Sequence, residues 1–380
     1  MKYLPYGRQE IDEADISAVI AALRSDWLTT GPIVDQFEDD FARYTGAKYA
    51  ISVSSGTAAL HAIMHGIGIG SGDEVITTAL TFAATANAVL YCGGVPVFAD
   101  VKPGSLLIDP ESVSEKVTKR TRAIIAMDYA GQPCDYDELR SIARAYKLTL
   151  VADACHSLGA RYRDRPVGTL GDLNAFSFHP VKNMTTGEGG MVTTDCPATA
   201  SRIRAFRNHG ITTDHRQRAV AQTHSYEMID LGFNYRLSDL QCALGVSQLK
   251  KLPNWLTTRA RIAEQYTELL KDLPGVRPLE LYGDRDHAYH LYVIFFEEQK
   301  KPDLRDHVFA FLRQDGIGCN VHYVPVYLHP YYRDRLGYPT TLCPRAEAAY
   351  QRILSIPIFP QMDSADILRV VGRLRASLNV

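Results

Sequence analysis

"KYAISVSSGTAALHAIMHGIG", residues 48–68, decides the fold. Its first half is an apolar run closing on small polar residues, and its second half repeats apolar residues at helical spacing. A short buried strand that turns on Ser-Gly-Thr straight into a helix opens a βα unit. The same pattern recurs downstream. Strand-like runs stand at "DEVITTAL" (73–80), "VPVFADV" (95–101), "RAIIAMDYAG" (122–131), "LTLVADACHS" (148–157), "LNAFSFH" (173–179) and "GGMVTT" (189–194). Helical segments such as "ATANAVLYCG" (84–93) and "DYDELRSIARAYK" (135–147) lie between them. Val, Ile and Ala on both faces of these strands predict an α/β fold with a mostly parallel, seven-stranded sheet covered on two sides.

Near residue 250 the character changes. A long helix, "LPNWLTTRARIAEQYTELLKDL" (252–273), leads to strand-like "HAYHLYVIFFEE" (287–298). The helix "LRDHVFAFLRQDG" (304–316), the segment "IGCNVHYVPVY" (317–327) and a final helix from about 363 follow. This predicts a large α/β domain over 1–250 and a smaller α+β domain over 251–380.

Composition narrows the function classes. The 380 residues carry a formal net charge of −2, with 46 % hydrophobic and 22 % charged residues, so no global charge points to nucleic acid or to an acidic membrane. Cys92, Cys134, Cys155, Cys196, Cys242, Cys319 and Cys343 are dispersed without a C-x-x-C, which predicts reduced thiols and no zinc framework. The start "MKYLPYGRQEIDE" lacks a signal-peptide core, and no apolar run approaches the roughly 20 residues that span a bilayer. A soluble cytoplasmic protein is expected, with neither nucleic acid nor membrane as partner and without a metal.

In an open parallel sheet, ligands bind beyond the carboxyl ends of the strands. Gly56 and Thr57 follow the first strand and open a helix. Glycine there admits close backbone approach, and a helix N-terminus favours a phosphate, although the same residues also serve as plain caps. Phe82 stands near the next strand end, as core or as a stacking platform. Asp153 ends an apolar run, where a carboxylate is costly unless paired. It is a helix cap or the partner of a protonated heterocyclic nitrogen. His156 would face the same ligand if the intervening turn is helical. Ser177, Pro180 and Lys182 in "SFHPVKNMTTGEGG" (177–190) place a hydroxyl, a rigid turn and a lysine together. A lysine acts as a Schiff-base nucleophile when burial lowers its pKa. A carboxylate, a lysine, a hydroxyl and a helix start, all at strand ends, describe a pyridoxal 5′-phosphate (PLP) site.

Several stretches then carry a resemblance over nearly the whole chain: "DWLTTGPIVDQFE", "SSGTAAL", "TFAATANAV", "DACHSLGA", "SFHPVKNMTTGEGG", "RNHG" and "LGFNYRLSDLQCALG". In this order they resemble the DegT/DnrJ/EryC1/StrS sugar aminotransferases, PLP enzymes of fold type I. The resemblance implies Lys182 as the Schiff-base lysine and Asp153 as the partner of the pyridinium nitrogen. It implies Phe82 stacked on the ring, His156 near its phenolic oxygen, and Gly56, Thr57 and Ser177 at the phosphate. Asn234 matches a residue that reaches the cofactor phosphate of the neighbouring subunit, which implies a homodimer with composite active sites.

Within the family, "WLTTGP", "MIDLGFNYRLSDLQCALGVSQLKKL" and "VHYVPVYLHPYY" look like the branch of pseudaminic acid biosynthesis. That branch aminates C4 of a UDP-linked 4-keto-6-deoxy-2-acetamido sugar from L-glutamate, in ping-pong fashion through pyridoxamine phosphate (PMP). C3 or C4 enzymes of dTDP- or GDP-linked sugars share the core motifs and stay open as alternatives. Where many relatives have a histidine, this chain has Asp128, and no ligand contact is assigned there. The diphosphate of a nucleotide sugar needs local cations. Arg216 and Arg218 in the polar stretch 207–227 are candidates, with Thr30, His322 and Tyr323; a solvated loop is the plainer reading of that stretch. Lys182 disfavours the dehydratase relatives, in which a histidine replaces the lysine. A non-catalytic cofactor-binding regulator would not need that lysine.

Overall fold

Two helices precede the sheet in the computed structural model, which describes residues 3–297 and 303–378. α1 (Glu13–Leu23) starts at a capping box on Asp12, and α2 (Pro32–Thr45) starts on a proline, whose missing N–H costs nothing in a first turn. β1 (Tyr49–Val53) then enters α3 (Gly56–Gly66), where the Ser55 hydroxyl accepts the Ala58 N–H at 3.0 Å. Next come β2 (Glu74–Thr78), α4 (Ala83–Tyr91), β3 (Val95–Ala99), α5 (Pro110–Glu115), β4 (Thr121–Met127), α6 (Tyr136–Tyr146) and β5 (Thr149–Asp153). A small hairpin, β6 (Arg161–Tyr162) and β7 (Arg165–Pro166), precedes β8 (Leu173–Ser177) and β9 (Gly190–Thr194).

The large sheet has the order β1-β9-β8-β5-β4-β2-β3. Only β9 runs against the rest, antiparallel to both β1 and β8. All seven strands read from the sequence are present, and the sheet is mostly parallel. Both faces are dry. Ile124 and Ala126 of β4 join the cluster built with Phe37, Phe41 and Leu139, whereas Ala123 and Ile125 join the one built with Leu60, Ile63 and Ile203. Period-two alternation between two apolar layers is why these strands read as continuous apolar runs.

Beyond the sheet, α7 (Pro197–Phe206) and the one-and-a-half-turn α8 (His215–Val220) lead to α9 (Asp239–Leu270). The expected start of that helix at 252 is corrected. A capping box between Ser238 and Gln241 begins it at Asp239, and it continues through Pro253. A mid-helix proline forfeits one hydrogen bond and kinks or breaks a chain that lacks other support. Here Leu249, Leu252 and Trp255 are buried on either side of it and hold the helix to the core.

Strands β10 (Val276–Pro278), β11 (Tyr292–Phe296) and β12 (Ile353–Ile356) form a second, antiparallel sheet. Residue 298, the end of the 287–298 run, lies outside the described residues. α10 (Leu304–Gln314) and α12 (Ser364–Leu378) cover this sheet, while α11 (Pro344–Tyr350) packs Ala346 and Ala349 into the large core. Ile262, Tyr266 and Leu270 of α9 share the second cluster with Ile294 and Leu374, and so does Leu4 from the N-terminal segment. We propose 1–250 and 251–380 as the two units, with α9 the element they share.

Candidate active site

The carboxyl ends of the parallel strands open onto a cavity of about 770 Å³. Gly56, Thr57, Phe82, Asp153, His156, Ser177, Lys182, His322 and Tyr323 all line it. At the α3 end, the first helical N–H groups have no acceptor inside the helix and face outward. A Cβ at Gly56 would stand 2.8 Å from Ser177 Cβ, so the helix start and the end of β8 meet only because residue 56 is glycine. Phe82 is 59 % exposed, which rules out the core reading, and its ring is tilted 6.1 Å from that of Tyr323.

Asp153 is buried at the end of β5. The Thr85 hydroxyl donates to its Oδ2 at 2.7 Å and the Cys155 N–H to its Oδ1 at 3.3 Å. One carboxylate oxygen is thus held by Thr85, while the other caps the turn that follows, as the plainer reading of Asp153 expected. Lys182 sits in the turn between β8 and β9. Phe178 N–H donates to Gly189 O at 2.8 Å and Lys182 N–H to His179 O at 2.9 Å, and these bonds close the turn. Burial holds the Lys182 amine below its ordinary pKa, against the opposing pull of Cys155 and Asp153. Three imidazoles stand around it. His156 and His290 are held well below the usual histidine range by burial, and His322 is pushed down to about 3 by the same cause. The Tyr323 hydroxyl meets His156 Nε2 at 3.0 Å, and burial raises its pKa well above the ordinary tyrosine value.

Other expected residues lie elsewhere within the single chain. Thr30 lines a separate cavity of about 420 Å³ with Arg204, Arg207 and Arg236. Arg216 pairs with Asp35 at 2.6 Å, and Arg218 donates to Thr213 O at 2.7 Å while its guanidinium lies over the Tyr226 ring. The expected loop carries one short helix, α8. Asn234 is exposed and bridges to Asn208. Asp128 stands off the cavity as a buried hub that accepts from Cys134 N–H, Tyr136 OH and Ser157 Oγ, and burial raises it to about 6. Sequence reasoning missed Thr85, His290 and Tyr6, which also line the cavity. For Thr85 a signal existed, since Thr81 and Thr85 are a helical turn apart just behind Phe82, and their hydroxyls meet at 2.7 Å. His290 and Tyr6 arrive by tertiary folding alone.

A model of the DegT/DnrJ/EryC1/StrS aminotransferase family matches residues 9–375. The chain belongs to that family. It is 40 % identical to the spore coat polysaccharide biosynthesis protein SpsC of Bacillus subtilis, over 98 % of this chain and 96 % of that one. Among solved structures it resembles Helicobacter pylori PseC, an aminotransferase involved in pseudaminic acid biosynthesis. That match has a TM-score of 0.93 and 30 % identity, and covers 100 % of both chains. Spr1654 of Streptococcus pneumoniae, described as a sugar aminotransferase, matches in its PMP form with a TM-score of 0.93, 28 % identity and 99 % of both chains. It has also been solved with PLP. The chain is a PLP-dependent sugar aminotransferase of fold type I.

This chain's own residues fit the cofactor. The cavity offers a glycine-opened helix start for a phosphate, a carboxylate for a ring nitrogen and a lysine of lowered pKa for an aldehyde. In addition, His156 Nδ1 and His290 Nδ1 are buried without a hydrogen-bond partner among the described residues, leaving polar capacity free in the cavity wall. Among the described residues no helix is long and apolar enough to cross a membrane.

Proposed function

We propose that the chain moves the amino group of L-glutamate to C4 of a UDP-linked 4-keto-6-deoxy-2-acetamido sugar, as a cytoplasmic homodimer. The convergence of Lys182, Asp153 and Ser177 on one cavity carries the aminotransferase chemistry. The full-length likeness to PseC supports the choice of sugar.

Bound PLP supplies an aldehyde that captures amines and a ring that draws electrons from the carbon beside the captured nitrogen. Gly56, Thr57 and Ser177 would seat its phosphate, Phe82 would cover one ring face, and His156 would stand by the phenolic oxygen. Asp153, fixed by Thr85, holds a proton at the ring nitrogen, which stabilises developing negative charge where it arises. The Nζ of Lys182 takes the proton from Cα of glutamate and delivers it on the product side. Its lowered pKa serves that task, because it enlarges the share of free amine that can accept a proton. In the second half-reaction Lys182 works in reverse on the keto sugar. Thr30, Arg216 and Arg218 would bind the nucleotide together with His322 and Tyr323, and Asn234 would act on the neighbouring subunit's cofactor.

The test separates the two half-reactions. Glutamate is added to the loaded enzyme and removed, and UDP-, dTDP- and GDP-linked keto sugars are then offered while the cofactor's visible absorption is followed. Recovery with the UDP-4-keto-6-deoxy sugar, with the 4-amino sugar found by mass spectrometry, supports the proposal. Recovery only with a dTDP- or GDP-linked sugar, or amination at C3, replaces the substrate. No response to glutamate points to the regulatory reading instead.

A further inference from the structure

Lys182 has a neighbour from the other end of the chain. His290, 5 % exposed, stands just before β11, with Nε2 3.5 Å from Lys182 Nζ. Catalytic contacts are often this long without ligand and tighten with it. The segment that carries His290 is pinned on every side. Ala288 N–H donates to Gly131 O at 2.9 Å and Leu291 N–H to Ala130 O at 3.1 Å. The Asn183 side chain, next to Lys182 in sequence, donates to Ala288 O at 2.9 Å. The buried Arg259 guanidinium donates to Tyr289 O and Ile358 O, each at 3.0 Å. These bonds fix the backbone on both sides of His290, whose ring is buried.

The tautomer follows from the unpartnered atom. His290 Nδ1 is buried and takes no hydrogen bond among the described residues. A buried N–H without an acceptor is costlier than an idle lone pair, so the proton of the neutral ring belongs on Nε2. An Nε2–H can donate to the lone pair of an uncharged amine. It has nothing to offer an ammonium, which has three donors and no acceptor. The other titratable or charged groups around the pair are Asp153, Cys155, His156 and His322 near Lys182, and Lys182, His156, Arg259 and His322 near His290.

We propose that His290 is a positioning residue that holds freed Lys182 as an uncharged base, by donating from Nε2 to its Nζ lone pair. This rests on the reading of Lys182 as the cofactor lysine. Glutamine at 290 carries an oxygen that can accept from an ammonium at no tautomeric cost. His290→Gln is therefore expected to raise the Lys182 pKa, so that acylation on the acid side of its pH profile slows, by about tenfold for each pH unit the profile moves.

The measurement uses the cofactor-free chain. The rate of Lys182 acylation is followed against pH by peptide mass spectrometry, in the natural chain and in His290→Gln. A pKa that is unmoved or lowered in the variant overturns the proposal. If the variant does not fold, ¹⁵N-imidazole NMR of the natural chain decides, since a His290 protonated on Nδ1 overturns it and one protonated on Nε2 supports it. In the loaded enzyme, the acid limb of the glutamate half-reaction should move up with the Lys182 pKa while the KM for glutamate stays. The underlying reading is tested apart: borohydride reduction of the PLP-loaded chain should fix the cofactor on Lys182, and a label elsewhere removes that reading whatever His290 does.

Discussion

Gly56→Ala tests the junction on which the phosphate seat depends. The new methyl would lie 2.8 Å from Ser177 Cβ and 3.2 Å from both Ser177 Oγ and Cys155 Sγ. Carbon atoms attract best at about 3.5–4.0 Å, so α3 and β8 must separate by roughly 0.7 Å. Ser177 cannot retreat easily, because β8 is in register with β9, Ser177 opposite Gly190. Overpacking of this kind costs about 1–3 kcal/mol. The cofactor should bind more than about tenfold more weakly, since about 1.4 kcal/mol of lost contact is one decade. Ser177→Gly removes both serine atoms from the clash. It should therefore restore part of the stability of Gly56→Ala, but not its cofactor affinity, because the hydroxyl is gone. Urea unfolding of the cofactor-free single and double variants, with PLP titration of each, completes the cycle. A coupling of about 1 kcal/mol or more is expected. Single costs that add within about 0.5 kcal/mol would refute the packing argument.

Four further outcomes are expected. Lys182→Ala should abolish transamination while leaving the fold intact; multiple turnover by a folded variant, measured as amino-sugar formation, would contradict the assignment. Asp153→Asn should slow both half-reactions by about 100-fold or more without unfolding the chain, and near-normal rates would reduce Asp153 to a structural residue. Asp128, raised to about 6 by burial, carries stability that is full below its unfolded pKa near 4 and is lost as pH rises through 6. Relative to the natural chain, Asp128→Asn should thus gain about 2–3 kcal/mol between pH 4 and pH 7.5, and a constant difference in urea unfolding would refute this. Arg216→Ala and Arg218→Ala should raise the KM for the sugar nucleotide and spare the glutamate half-reaction. Stability should barely change, because Asp35, the partner of Arg216, is exposed and surface pairs contribute about 0–1 kcal/mol.

The large sheet was legible because its inner strands are dry on both faces, which writes uninterrupted apolar runs such as "RAIIAM" into the chain. Helices α1 and α2 were not read, nor were β10 and β12, since three or four residues at the edge of a small sheet leave almost no pattern. Pro253 misled the reading of α9, because local preference marks proline as a start, whereas buried neighbours carry the helix across it. The cavity wall supplied by strand ends was accessible through a topological rule that needs no side-chain detail. Thr85, one turn into α4, and His290, more than a hundred residues after Lys182, enter through packing that no local spacing encodes. The basic loop shows the opposite limit. Its charge is plain in the sequence, yet within one chain Arg216 finds Asp35, and charge alone does not say which acidic partner a basic side chain takes.

The turn that carries Lys182 has a consequence for how such a chain can vary. It is tied at its base, with Ser177 opposite Gly190, Phe178 N–H bonded to Gly189 O, and Thr186 N–H bonded to Phe178 O. One residue more or fewer inside it would shift β9 by one register step and send Met191 and Val192 into each other's layers. A side chain on Gly190 would strike the Ser55 carbonyl at 2.4 Å, so the strand cannot slide to absorb the change. Insertions and deletions should accumulate in outer segments such as 212–226, and the span from Phe178 to Gly189 should behave as a ruler of invariant length.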